Sequence, residues 1–305
     1  MAELHIVTGK GGVGKSTVAA ALAMRFAREG RGPVLLIDVQ GSGWALRLHG
    51  LNGCPFESTA LPRLPGAYGA RILPKESFKQ YFGNLLALGN EASAFGAATG
   101  IVRSRLVDLV VENKIVSAFI DVCPGLEPAV LLGKLHWEAW RGVSPSEDEP
   151  WSHVIVDAPA TGHGVMLFKS TFALTEVFGS GVIFKQASEI MSFMRDPQRT
   201  KLWLVTLPEE LPVAEGIEMA RELTLLRVKP YRVVLNRCTE VSGTGVGDLP
   251  GVWGEEAALE IERARRDADF EQELRRNIEA PLVRVGEFVG EATAALPLIA
   301  QELWK

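Results

Sequence analysis

The chain has 305 residues, 47% hydrophobic and 23% charged, with a formal net charge of -5 and three cysteines. That size and apolar share suit one large α/β domain or a core with an insertion, and exclude wholesale disorder. The acidic balance and lack of a long basic run argue against coating nucleic acid, and no apolar run reaches the roughly 18 residues that span a bilayer.

Leu4-His5-Ile6-Val7-Thr8 reads as a short buried strand. Ser16 to Glu29 reads as a helix, with Val18, Leu22 and Phe26 on one face and Gly30 as its stop. Between them, Gly9-Lys10-Gly11-Gly12-Val13-Gly14-Lys15-Ser16-Thr17 fits G-x-x-x-x-G-K-[ST], the phosphate-cradling loop of nucleoside triphosphatases. The glycines let the backbone approach phosphates and turn its N–H groups inward at a helix N-terminus. Residues Gly11, Gly12, Val13, Gly14, Lys15, Ser16 and Thr17 are therefore the expected nucleotide contacts. Lys15 would reach the β- and γ-phosphates, and the Ser16 hydroxyl would be a ligand of Mg²⁺. With the loop this close to the N-terminus, no signal peptide is expected. Cys54, Cys123 and Cys238 are widely spaced without a C-x-x-C, which suits free thiols in a cytoplasmic protein.

Val34-Leu35-Leu36-Ile37 is a second strand, ending at Asp38 on the edge where open α/β sheets bind nucleotides. Asp38 there suits the magnesium shell, or alternatively a turn. Residues 51–68 are rich in Pro and Gly and read as a loop, followed by a short strand Ala70-Arg71-Ile72-Leu73. The pattern then turns helical, with Phe78, Phe82 and Leu85 on one stripe and Leu106, Leu109 and Val110 on another. The expected division is a core of residues 1–75 and 150–305, a helical insertion at 76–149, and a second helical segment at 168–200. Val154-Ile155-Val156 is a strand ending in Asp157, a carboxylate suited to magnesium. Met191-Ser192-Phe193-Met194 suits either an adaptable surface or a core.

Leu202 to Thr206 and Tyr231 to Leu235 are further strands, the latter delivering Asn236-Arg237-Cys238. Ile217, Ala220, Leu223 and Leu226 mark a helix, and Glu255 to Asn277 a solvated one with pairs such as Glu262–Arg266. Pro281 to Gly286 is the last strand, before a closing helix. Strands alternating with helices predict a doubly wound, mostly parallel sheet of about seven strands.

Three motifs carry a family resemblance. The early Lys10 makes the K-G-G-V-G-K-S-T form, which resembles the deviant Walker A of the SIMIBI ATPases. Asp157-Ala158-Pro159-Ala160-Thr161-Gly162-His163 is similar to the D-T-A-P-T-G-H switch of the arsenical-pump/guided-entry (ArsA/Get) ATPases. The T-L-P-E-x-x-P-V-x-E run from Thr206 to Glu215 resembles bacterial members of the same family. The resemblance implies ATP and Mg²⁺ as cofactors, with Ser16, Asp38 and Asp157 around the metal. It also implies a homodimer, or a heterodimer with a paralogous ATPase, in which Lys10 reaches the partner's nucleotide. Gly162 would lend flexibility or touch the γ-phosphate, and His163 would couple that contact to the partner. Asn236 would read the adenine edge, with Arg237 stacking or at the interface and Pro281 on the adenine side.

The apolar stripes of the helical segments either pack against each other or, as the resemblance implies, bind a hydrophobic helical client or a membrane-associated partner; with no C-x-x-C, a zinc-bridged dimer is not expected. The chain departs from the family at Gln40, where the MinD/ParA proteins carry a second Asp. It also lacks the D-P-A-H run, and a gapless alignment from Leu35-Leu36-Ile37 puts Arg47 near the family's water-positioning Asp. Gln40 can orient a water. The expectation is an ATP-hydrolysing dimeric switch using Lys10, Lys15, Asp38 and Gln40. The alternative is a hydrolysis-poor subunit paired with an active paralogue.

Overall fold

The structure, a computed structural model, describes residues 1–39, 42–53, 55–72, 77, 126–146, 148–159, 163–240 and 252–304. Its strands are β1 Glu3–Gly9, β2 Val34–Asp38, β3 Thr59–Ala60, β4 Ala67–Arg71, β5 His153–Asp157, β6 Thr200–Thr206, β7 Pro230–Cys238 and β8 Leu282–Gly286. They form one sheet in the order β3-β4-β2-β5-β1-β6-β7-β8. Every pairing is parallel except β3 with β4. The described helices are α1 Lys15–Glu29, α2 Trp44–Leu48, α3 Leu126–Arg141, α4 His163–Phe178, α5 Gly181–Arg195, α6 Glu210–Leu225, α7 Val252–Asn277 and α8 Ala292–Glu302.

The central strands are buried on both faces, as their unbroken apolar runs require. Alternate side chains divide the core in two. Val7, Leu36, Ile155, Trp203 and Val234 face α1, α2 and α8, while Leu4, Ile6, Leu35, Ile37, Val156 and Leu204 face α3 to α6. Because β1, β2 and β5 are parallel, their carboxyl ends and the loops that leave them share one edge, and that edge holds the site.

Several expectations need correction. The sheet has eight strands, because a two-residue antiparallel β3 adds an edge, and β4 starts at Ala67 within the stretch expected to be loop. The glycine there hides a packing need: a Cβ on Gly69 would stand 2.7 Å from Leu46 and 2.9 Å from Leu61. The short α2 was also not expected. Met191, Phe193 and Met194 are buried, so that cluster is core. On α7 the ion pairs are Glu260–Arg263 and Glu271–Arg275, with none between Glu262 and Arg266. The stripes at Phe78, Phe82, Leu85, Leu106, Leu109 and Val110, and Cys54 and Cys123, lie outside the described residues. No described helix is long and apolar enough to cross a membrane.

At the opposite edge of the sheet the polar groups are tied into a chain. The Trp203 indole N–H donates to His5 Nδ1 at 3.3 Å. Since indole only donates, the His5 proton sits on Nε2 and is given to His153 Nδ1 at 3.2 Å. Phe26 stacks on the His153 ring at 3.9 Å. Burial holds both histidines below the ordinary imidazole range, His5 well below it. Glu3, His5 and His153 could enclose a metal by distance alone. A metal on His5 Nε2 would, however, force a proton onto Nδ1, facing the indole N–H.

Candidate nucleotide-binding site

The loop between β1 and α1 is shaped by its glycines. Gly12 and Gly14 adopt φ of 86° and 96°, which other residues reach only with strain, and Gly14 caps α1 by accepting from Thr17 and Val18 N–H. Gly9, at φ 147°, lies against β6 so closely that a Cβ would overlap the Val205 carbonyl oxygen. The chain therefore leaves the sheet in a tight turn whose N–H groups gather at the N-terminus of a fifteen-residue helix, a ready anion site. Gly11 and Gly12 are exposed; Ser16 and Thr17 are half-buried.

Lys15 is 6% exposed, and its ammonium donates to the Lys10 carbonyl at 2.9 Å. Burial lowers its pKa, and the field of Asp157 opposes that shift. Lys10 points elsewhere, pairing with Glu215 on α6 at 2.9 Å.

Asp38 and Asp157 end adjacent strands in register, so their carboxylates flank the loop together. Asp157 is buried and neither oxygen has a hydrogen-bond partner among the described residues. Burial pushes its carboxyl up to about 6; Asp38 adds to the rise, while Ser16, beside it but outside hydrogen-bonding geometry, and Lys15 draw it down. A buried carboxylate with two uncommitted oxygens next to a hydroxyl is a fitting set for a hard cation that takes oxygen ligands. Asp38 differs: its Oδ2 accepts the Gly43 N–H and closes the turn into α2.

Asn236 comes to the loop from β7. The strand slips register against β8 between Leu235 and Cys238, and Arg237 takes a positive φ of 57°. This bulge re-aims the side chain. Asn236 Nδ2 donates to the Val13 carbonyl at 2.8 Å and lies against Gly14, where a Cβ would overlap it. Asn236 is thus a strap on the phosphate loop. Its neighbour Arg237 is exposed.

The structure brings Lys10, Gly11 to Thr17, Asp38, Asp157, Asn236 and Arg237 to one edge. Pro281 is not among them. It precedes β8, whose Leu282 pairs with Val233 in the first half of β7, so it stands toward the amino edge. The end of β8 at Gly286 lies on the site's side. Gln40, Thr161 and Gly162 lie outside the described residues, and α4 begins at His163. Arg47 is exposed and stacks over the Trp44 ring at 5.7 Å. The Glu215 contact to Lys10 was missed from sequence; the T-L-P-E-x-x-P-V-x-E run contained it without indicating its partner.

A family described as the CobQ/CobB/MinD/ParA nucleotide binding domain matches residues 4–243. The ATPase BagA of Mycobacterium tuberculosis is 31% identical over 241 residues, which is 77% of this chain and 65% of that protein. An arsenical pump-driving ATPase of Escherichia coli is 26% identical over 243 residues, 79% of this chain and 36% of the relative. ATPase GET3B of Arabidopsis thaliana is 22% identical over 272 residues, 77% and 64% respectively. The chain thus spans just under two thirds of the mycobacterial and plant relatives. With the phosphate loop in place between β1 and α1, the chain belongs to the CobQ/CobB/MinD/ParA nucleotide-binding domain family, among relatives of the ArsA and Get ATPases.

Proposed function

We propose that this chain binds Mg²⁺-ATP at the β1–α1 loop and hydrolyses it as a two-subunit switch. The observation that carries the reading is the pairing of a glycine-shaped anion nest with Asp157, a buried carboxylate without a hydrogen-bond partner among the described residues. Lys15 would leave the Lys10 carbonyl for the β- and γ-phosphate oxygens. Ser16 and Asp157 would hold Mg²⁺, which when bound neutralises charge developing on the transferred phosphoryl group. Asp38 holds the entry to α2 through the Gly43 N–H, and Gln40 would orient the attacking water. Lys10 would supply a cation to the nucleotide of a second subunit. Such a cation is worth about 10³–10⁵ in rate where it has been measured as an arginine finger.

The route to a partner runs through α4, which starts six residues after Asp157. On that helix Met166, Val177 and Phe178 are exposed. An apolar helical client or a membrane-associated partner fits this chemistry, with nucleotide state setting the position of α4 through Gly162. Substitution Lys15→Ala tests the site: ATP affinity by calorimetry should fall by at least tenfold, and unchanged affinity would refute the placement.

A second reading is a hydrolysis-poor subunit that pairs with an active paralogue. It is favoured by the exposed Arg47, stacked on Trp44, at a position where a carboxylate would position water. Steady-state turnover of the chain alone separates the two. Turnover above the Lys15→Ala background supports the switch that hydrolyses by itself; ATP binding without turnover supports the paired subunit.

A further inference from the structure

We infer that Glu215 is a positioning residue for Lys10: it holds the lysine inside its own subunit and so sets the threshold for ATP-driven assembly. This rests on the two-subunit reading above. The pair is 2.9 Å apart, with side chains 26% and 31% exposed, so neither partner is a freely solvated tip.

The fold, rather than loop wandering, puts them together. Gly9 is in register with Val205, so Lys10 leaves the sheet beside Thr206, four residues before α6 begins. The α6 helix then lies close over β1 and β6. Its Gly216 packs on Thr206, and the Thr8 hydroxyl donates to Met219 Sδ at 3.9 Å. Glu215 is therefore carried by a helix fixed at two neighbouring positions, on the turn that faces the loop. The Lys10 carbonyl is engaged as well, by Lys15. Main chain and side chain of Lys10 are both satisfied within one subunit.

An ammonium has three protons but only one position. Lys10 cannot sit on Glu215 and also reach a phosphate bound to a second subunit. Assembly must therefore break the pair in each subunit. A half-exposed pair of this kind resists by a factor of about 1.5 to 5 per subunit, and by the square of that for two.

The test uses the full chain with Mg²⁺ and a non-hydrolysable ATP analogue, and reads the protein concentration at half-assembly by sedimentation velocity. Glu215→Gln should lower that concentration by about two- to twenty-fold. Glu215→Asp, which keeps the charge, should stay closer to the parent. In a Lys10→Ala background the Glu215→Gln effect should vanish, a coupling that a merely structural role for Glu215 would not show. An unchanged or raised midpoint in Glu215→Gln overturns the proposal, as does the same shift in the Lys10→Ala background. If the parent chain binds the analogue but never assembles, the two-subunit reading fails for like chains. In that case assembly gained by Glu215→Gln still supports the latch, and continued monomer in that variant overturns it.

Discussion

Asp157→Asn should make the nucleotide-free protein more stable while removing its response to magnesium. The carboxylate is buried beside Lys15 without a hydrogen bond to either oxygen, and its carboxyl is pushed up to about 6. For an acid raised in the folded state, the protonated form is the one the fold tolerates. The penalty is absent below the unfolded pKa of 3.8, grows as pH rises toward about 6, and is complete above it. That span is worth about 3 kcal/mol of lost stability at pH 8. An amide in the same place pays about 1 kcal/mol for its own imperfect burial, leaving a net gain of about 2 kcal/mol. For 305 residues this corresponds to a rise in Tm of about 3 °C. Thermal and urea unfolding of the parent and the variant at pH 8, without Mg²⁺ or nucleotide, measure the gain. The same melts with Mg²⁺-ATP should stabilise the parent and leave the variant nearly unmoved. A variant less stable than the parent in the nucleotide-free state would show that Asp157 has a partner in the resting protein, and the reasoning would fall.

Asn236→Ala should weaken inorganic tripolyphosphate and ATP alike, by about three- to tenfold, because the lost bond holds the phosphate loop at Val13. If ATP weakens while tripolyphosphate does not, Asn236 reads the base instead. Gly9→Ala should cost about 2–4 kcal/mol or prevent folding, since the new Cβ meets the Val205 carbonyl at a φ of 147°; a urea midpoint within error of the parent would contradict the close approach of loop and β6. The His5–His153 chain predicts stability that is complete above an unfolded pKa of 6.5 and lost as pH falls, with a slope of up to about 1.4 kcal/mol per pH unit for each group. His153→Phe, which suits the stack on Phe26, should flatten the urea midpoint between pH 6.5 and 5; an unaltered slope would place the titration elsewhere.

What could be read from the sequence was whatever a short stretch specifies for itself. The phosphate loop was legible because strand, glycines, lysine and helix are contiguous, and Asp38 and Asp157 because each closes its own apolar run. The site's cross-links were not. Glu215 meets Lys10 only because α6 crosses β6, a relation of sheet order that local pattern does not contain. The contact of Asn236 with Val13 was not legible either, since the bulge that aims the side chain depends on how β7 registers with β8. Pro281 failed for the same reason in reverse: it belongs to the last strand, but to the wrong end of it.

Two of the seven tryptophans, Trp44 and Trp203, sit in opposite surroundings. Trp203 is fully buried, 5.6 Å from Trp304, and hydrogen-bonded to His5, so its emission should be quenched by acid while ignoring ligands at the far edge. Trp44 is 45% exposed at the start of α2, under the Arg47 guanidinium and next to the Gly43 N–H that Asp38 holds. A collisional quencher such as iodide should therefore see Trp44 and be blind to Trp203. With the other five tryptophans replaced by Phe, nucleotide titrations followed by fluorescence would then read the entrance to α2 through Trp44, with Trp203 serving as an internal standard in the same tube.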